Sequence, residues 1–175
     1  MASLEFLTDG TAPLPPPERT CCFTGHRRLP AGDYALIKEQ MLSKINALVD
    51  GGITHFITGG ALGFDTLAAR LILWLRESRP EITLTVAVPC PDQASGWSAE
   101  NAERYEKIIR HADRAVLLSK SYTRGCMHER NRFMVDHSSV CIAYLVENHG
   151  GTAYTADYAQ KRGVRVLNIA NGGDA

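Results

Sequence analysis

The residues best suited to chemistry in this chain lie in short turns rich in glycine. One turn reads Gly59-Gly60-Ala61-Leu62-Gly63-Phe64-Asp65. Glycine permits positive φ and lets a ligand approach the backbone closely, so successive N–H groups can surround an anion. The turn does not match the full G-x-G-x-x-G pattern, and a tight turn that needs glycine for its geometry alone is an equal alternative. Asp65 is either the N-cap of the following helix or a ligand contact, and it is the candidate catalytic residue.

Two further turns carry groups that bind anions. Thr24-Gly25-His26-Arg27-Arg28 combines a hydroxyl group, a glycine, an imidazole and two guanidinium groups, which suit phosphate or carboxylate. A solvated basic loop is the alternative, and Arg27 is the stronger candidate of the two arginines. His149-Gly150-Gly151-Thr152 opens a predicted helix and is a second compact candidate for binding an anion.

Other candidate ligand contacts follow two further predicted strands. Pro89 precedes Gln93 and Trp97, whose side chains suit hydrogen bonding to a base and stacking on it. Packing of the indole over a helix end is the commoner use of such a tryptophan. Tyr122 precedes a predicted helix in which Arg130 and Asn131 lie early enough to reach the same cleft.

The sequence argues against several classes of enzyme. Its histidines and cysteines show no spacing of metal ligands, so we predict no metal site. It has neither a Gly-x-Ser-x-Gly elbow nor the lysine of a P-loop, which disfavours a serine hydrolase and a P-loop NTPase. A nucleotide-type ligand is expected, and no cofactor is identified with certainty.

The composition is that of one globular domain in which basic and acidic charges cancel. The chain has 175 residues, 45% of them hydrophobic, with 19 Lys and Arg against 19 Asp and Glu. The chain therefore has no net positive charge that would attract nucleic acid or an anionic membrane. Five cysteines without C-x-x-C spacing favour a reduced compartment. Because neither a signal peptide nor a sufficiently long apolar run is evident, we expect a cytoplasmic protein with no membrane partner.

Alternating apolar segments predict a Rossmann-like α/β fold over residues 19–175, preceded by a proline-rich arm over residues 1–18. Six predicted strands, separated by five helical segments, cover residues 21–24, 56–58, 82–88, 115–118, 140–145 and 164–169. Strands that are apolar on both faces indicate a doubly wound, mainly parallel sheet with helices on both sides. Right-handed crossovers place the turns after the strands at one edge, where ligands of such sheets bind.

The turns, taken together, resemble the SLOG superfamily, specifically its YpsA-like branch. Their order and spacing agree from about Thr20 to Ile169. The segments that carry the resemblance are Thr24–Arg27, Gly59–Asp65, Pro89 with Gln93 and Trp97, Asn131–Asp136 and Gly150–Ala156. The resemblance implies a Rossmann-like fold and a nucleotide-derived ligand, such as one related to ADP-ribose. It implies no particular reaction, and homodimerisation follows from it only by analogy with related folds.

Two related groups define the alternatives. DNA-processing proteins are similar in the turn that begins at Gly59, and they bind single-stranded DNA. Cytokinin-activating phosphoribohydrolases carry an Arg-Lys-x-x-Met helix and a Pro-Gly-Gly-x-Gly-Thr-x-x-Glu turn. This chain has Asn131 in place of the lysine and Thr155 where the glutamate is expected. It therefore lacks the family's carboxylate that would stabilise an oxocarbenium-like centre or activate water, and Asp65 or Asp136 is the candidate substitute.

The leading interpretation is binding or sensing of a nucleotide or nucleotide-derived ligand at the carboxyl ends of the strands. A hydrolase of a nucleotide N-glycosidic or phosphate bond is the alternative, with Arg27 or Arg130 holding phosphate and Asp65 as acid, base or stabiliser. Binding of single-stranded nucleic acid is the second alternative, although zero net charge argues against strong non-specific affinity.

Overall fold

The computed structural model describes residues 4–6 and 13–171, in which strands and helices alternate along the chain. The strands are β1 (Leu4–Phe6), β2 (Thr20–Gly25), β3 (His55–Thr58), β4 (Thr83–Val88), β5 (Arg114–Leu117), β6 (Val140–Tyr144) and β7 (Arg165–Asn168). The helices are α1 (Tyr34–Asp50), α2 (Phe64–Leu75), α3 (Ala99–His111), α4 (Cys126–Asp136) and α5 (Gly150–Lys161). Short 3-10 helices cover Pro17–Arg19, Pro91–Ala94 and Ile169–Asn171. The predicted Rossmann-like α/β fold is confirmed, with all six predicted strands present.

The strands of the described residues form one parallel sheet in the order β1-β5-β4-β3-β2-β6-β7. From β2 the chain adds β3, β4 and β5 on one side, and then returns to add β6 and β7 on the other. The direction of winding thus reverses between β2 and β6. The loops after these two neighbouring strands leave toward opposite faces, which opens a crevice at the carboxyl edge of the sheet.

Helices cover both faces of the sheet because its strands are apolar on both faces. Adjacent residues of a strand point to opposite faces, and Phe56 belongs to one buried cluster while Ile57 belongs to the other. The larger cluster includes residues of α1, α2 and α3, and the smaller one includes residues of α4 and α5. This arrangement fixes the ends of the strands rigidly relative to the helices that follow them.

Part of the predicted N-terminal arm joins the sheet. Residues Leu4–Phe6 form β1, which pairs in parallel with β5 at the sheet edge. Leu14 packs against the smaller buried cluster, and the Thr20 hydroxyl donates a hydrogen bond to the Pro16 carbonyl at 3.0 Å. A strand of three residues is too short to show an alternation pattern, so the sequence did not predict it. The division of the chain at residue 18 remains a prediction.

Two general features concern the helices and the cysteines. Within the described ranges, no helix is both long enough and apolar enough to cross a membrane. All five cysteines are buried and none forms a disulfide.

Candidate functional site

A cleft of about 390 Å³ opens at the carboxyl edge of the sheet, between the loops that follow β2 and β6. The predicted site residues that line it are Thr24, Gly25, His26, Arg27, Ala61, Asp65, Arg130, Asn131, Gly150, Gly151 and Thr152. They come from three different turns and from α4, which are far apart in the sequence. The reversal of winding beside β2 is what brings them together.

Two buried charges lie at the base of the cleft. Asp65, on α2, and Arg130, on α4, are each only 5% exposed. The Arg130 guanidinium donates a hydrogen bond to the Gly59 carbonyl, to which Gln93 Nε2 also donates at 2.9 Å. Asp65 Oδ2 accepts the N–H of Ala61 at 3.4 Å. The two side chains therefore tie the turn after β3 to α2 and α4.

Burial shifts the pKa values of both charged groups toward their neutral forms. Loss of solvation raises the pKa of the Asp65 carboxyl, while the positive charge of Arg130 opposes this shift. Loss of solvation lowers the pKa of the Arg130 guanidinium, while the negative charge of Asp65 opposes it. Each charge thus stabilises the ionised form of the other in a site that water barely reaches.

Packing accounts for two glycines in the predicted anion-binding turn. A Cβ atom at Gly59 would overlap Arg130 Nη1 and would lie 2.8 Å from Asp65 Oδ2. A Cβ atom at Gly63, where φ is +75°, would overlap the Arg27 carbonyl. The turns after β2 and β3 are therefore in close contact. At Gly59 and Gly63 this packing supports the alternative that the turn needs glycine for its geometry.

The N-terminus of α5 faces the cleft with its first backbone N–H groups. Gly150, Gly151 and Thr152 line the cleft, and within the described residues His149 caps the helix with no side-chain hydrogen bond. Gly150 needs its glycine because φ is +82°. A Cβ atom at Gly151 would meet no atom within 4 Å, so packing against the described residues does not require glycine there. The end of this helix is an electropositive surface that a ligand can approach closely.

The loop after β2 places two basic side chains beside that helix end. His26 Nε2 accepts the N–H of Val146 at 3.1 Å, which joins the loops after β2 and β6. Arg27 is exposed, and in the part of the chain that the structure describes its guanidinium makes no hydrogen bond or ion pair. Its charge is therefore available to a ligand in the cleft.

Asn131 connects the buried charge of Arg130 to α5. Its Oδ1 accepts a hydrogen bond from Arg130 Nε at 2.8 Å, and its Nδ2 donates to Thr155 Oγ1 at 2.8 Å. The Thr155 hydroxyl in turn donates to the Gly151 carbonyl at 2.8 Å. The two positions at which this chain departs from the phosphoribohydrolase motifs thus contact each other directly.

The remaining predicted site residues lie outside the lining of the cleft. Gly59 and Gln93 stand behind Arg130, and Gly63 packs on the loop after β2. The Trp97 ring packs edge-on against the Tyr105 ring of α3, with the ring centroids 5.5 Å apart. Tyr122 is 66% exposed away from the cleft. Gly60, which lies against Tyr105, and buried Pro89 also take no part in the lining.

The sequence did not single out several residues that do line the cleft. These are Phe23, Met127, Met134 and Glu147, and the cleft is also lined by His128 and by His149 of the predicted anion-binding turn. Met127 lies about one helical turn before Arg130 and Asn131 on α4, and Met134 lies about one turn after them. The spacing i, i+3, i+4, i+7 marks one helix face and was the signal that could have identified them. Among the described residues, no group of three or more His, Cys, Asp or Glu is arranged to hold a metal ion.

A family model and several relatives match most of the chain. The model of the YspA SLOG family matches residues 23–167. The uncharacterized SPbeta prophage-derived protein YoqJ of Bacillus subtilis is 28% identical over 138 residues, covering 71% of this chain and 81% of YoqJ. A UPF0398 protein of Bacillus thuringiensis is 30% identical over 130 residues, covering 73% of this chain and 71% of the relative.

Two solved structures share the fold. DNA processing protein A from Helicobacter pylori, whose structure concerns its single-stranded DNA binding mode, has a TM-score of 0.59 and 20% identity. DNA processing protein A from Streptococcus pneumoniae has a TM-score of 0.62 and 14% identity. The matches cover 84% and 85% of this chain, but only 63% and 49% of those two chains. At these identities the similarity establishes the fold alone.

Proposed function

The chain belongs to the YspA SLOG family, and we propose that its cleft binds a nucleotide or nucleotide-derived ligand through phosphate. One observation carries this proposal: the exposed Arg27 guanidinium and the N-terminus of α5 line the same cleft. A guanidinium group and a helix N-terminus both favour an anion with several acceptor oxygens. The volume of about 390 Å³ lies within the range typical of small-molecule sites.

The remaining groups support this assignment by fixing the shape of the cleft. Asn131 already uses its amide oxygen for Arg130 and its amide nitrogen for Thr155. We infer that it positions Arg130 and the first turn of α5 and is not the principal phosphate contact. A pre-formed cleft of this kind lowers the cost of ordering side chains when a ligand binds.

Replacing Arg27 with glutamine is expected to weaken nucleotide binding by about 10- to 100-fold, because a hydrogen bond to a charged group contributes roughly 1.5–3 kcal/mol. Isothermal titration against AMP, ADP, ATP, NAD and ADP-ribose measures this change. Arg124→Gln is the matched control, since Arg124 is also exposed but lines no part of the cleft. Equal affinity in the Arg27 variant and the wild type would remove Arg27 from the site, and no binding of any nucleotide would refute the proposal.

Replacing Gly151 with alanine is expected to change stability and binding in opposite directions. Alanine favours the helix and restricts the unfolded chain, so the apo protein should gain about 0.5 kcal/mol. The added methyl group projects into open space at the helix end, where the ligand approaches, so affinity should fall about tenfold, or about 1.4 kcal/mol. Thermal unfolding with and without ligand measures both effects. Gly32→Ala is the control, because a Cβ atom there also meets open space but lies outside the cleft.

A second candidate function is hydrolysis of a nucleotide N-glycosidic bond. The observation that favours it is the Asp65 carboxyl, which lines the cleft and has a pKa raised by burial. Threonine at position 155 argues against it, because this position supplies a hydrogen-bonding hydroxyl and no carboxylate. Mass spectrometry of each nucleotide after incubation tests the hydrolase: release of free base that Asp65→Asn abolishes would establish it. Intact nucleotide in every mixture would exclude it for the nucleotides tested.

Single-stranded DNA is the other candidate ligand, by analogy with the DNA processing protein A from Helicobacter pylori. Its backbone phosphates present the same chemistry to Arg27 and α5. Fluorescence anisotropy of a labelled oligonucleotide at low salt separates this case from a free nucleotide. Affinity that falls steeply with salt would support DNA, and the absence of binding at low salt would end the hypothesis.

A further inference from the structure

A second cavity adjoins the cleft on the other side of the loop that follows β2. It has a volume of about 420 Å³ and shares three wall residues with the cleft, namely His26, Arg27 and Glu147. Its own wall includes Arg28 and Val146. The two cavities are therefore neighbouring compartments of one surface, separated by the His26–Arg27 segment.

The partition between the two compartments is held in place. His26 accepts the N–H of Val146 at 3.1 Å, and its ring packs edge-on against Tyr144 with the ring centroids 5.9 Å apart. Arg27 stands beside this anchored ring and borders both cavities. Arg27 is therefore the arginine that the walls of the two cavities have in common.

The second cavity combines a cation with exposed apolar surface. Arg28 is exposed and, within the described part of the chain, forms no side-chain hydrogen bond or ion pair. Val146 is 63% exposed and offers a surface on which a flat ring can pack. Glu147 on the shared wall lies 3.2 Å from His149 Nε2, so its negative charge has a partner when His149 is protonated. The cavity therefore suits a group that carries both a flat ring, which packs on Val146, and an anion, which Arg28 attracts.

Resting on the proposed function, we propose that the ligand has two nucleoside-sized units joined through phosphate. One unit occupies the cleft, the other occupies the second cavity, and the phosphate linkage lies at Arg27. Arg28 then contacts only the second unit or its side of the linkage. A pyrophosphate-linked molecule and a phosphodiester-linked dinucleotide share this chemistry.

The test compares one-unit and two-unit ligands by isothermal titration. AMP is the one-unit probe, and NAD and a 5′-phosphorylated adenine dinucleotide are the two-unit probes. We expect at least one two-unit probe to bind about tenfold more tightly than AMP, since an added charged hydrogen bond contributes about this factor. The probe that gains most distinguishes a pyrophosphate from a phosphodiester linkage.

Arg28→Gln provides the decisive variant, because Arg28 borders the second cavity and not the cleft. The variant should lose most of the two-unit advantage and bind AMP as the wild type does, while Arg124→Gln should leave both affinities unchanged. If AMP binds and no two-unit probe binds more tightly, or if Arg28→Gln weakens AMP equally, the two-unit inference is wrong and the proposed function stands. If no probe binds at all, the proposed function itself fails.

Discussion

Replacing Arg130 with methionine is expected to lower the free energy of unfolding by about 3 kcal/mol at neutral pH, the lower end of the cost of removing one member of a buried charged pair. The guanidinium is 5% exposed and donates to the Gly59 carbonyl. Its removal leaves the Asp65 carboxyl buried without the nearby positive charge that opposes its desolvation. Methionine fills most of the volume, so the loss reports the charge and the hydrogen bond more than a cavity. Urea unfolding followed by tryptophan fluorescence measures it.

The pH dependence of this loss identifies its cause. In the variant the pKa of Asp65 should rise further above its ordinary value, because burial remains and the opposing charge of Arg130 is gone. A carboxyl group whose pKa is higher in the folded than in the unfolded state contributes stability at low pH, and this contribution is lost as pH rises through the folded pKa. The deficit of Arg130→Met should therefore be smallest near roughly pH 4 and grow toward neutral pH.

The variant Asp65→Asn is the control for that interpretation. Combining it with Arg130→Met removes both charges, so the double variant should be less destabilised than the sum of the two single variants. Additive losses together with a deficit independent of pH would show that the two charges do not interact. The outcome bears on function as well, because a strongly coupled Asp65 has a structural role that limits its freedom to act as a catalytic acid or base.

The fold could be predicted from the sequence because its signals are local. Strands such as β4 are continuous apolar runs that end at a proline or glycine, and α1 carries an apolar stripe with helical spacing. The parallel direction of the strands and the position of the cleft at their carboxyl ends then follow from general rules on crossovers. The strand β1 was not predicted because it pairs with β5, which is far away in the sequence, and three residues show no pattern that indicates such a pairing.

The site could be predicted only in part, because a turn's composition does not show what fills the space beside it. Gly59 and Gly151 look equivalent in the sequence, as glycines in turns that lead into helices. In the structure the space beside Gly59 is filled by Arg130, which is 71 residues away in the chain, whereas the space beside Gly151 is open. The same limit applies to Trp97, whose partner Tyr105 lies on the following helix.

Replacing Gly59 with alanine should therefore destabilise the fold, whereas Gly151→Ala should stabilise it. A Cβ atom at Gly59 would overlap Arg130 Nη1 and crowd Asp65 Oδ2 at 2.8 Å. The guanidinium would have to leave the Gly59 carbonyl, so we expect a loss of about 3 kcal/mol, the upper end of the cost of overpacking. Urea unfolding of both alanine variants measures the contrast.

Combining Gly59→Ala with Arg130→Met shows whether the overlap with Arg130 is the cause. Methionine lacks the atom that the new methyl group would strike, so alanine at position 59 should cost clearly less in that background than in the wild type. An unchanged cost would place the strain in the backbone of the turn and contradict the packing explanation. A reduced cost would show that glycine at position 59 makes room for the protein's own arginine.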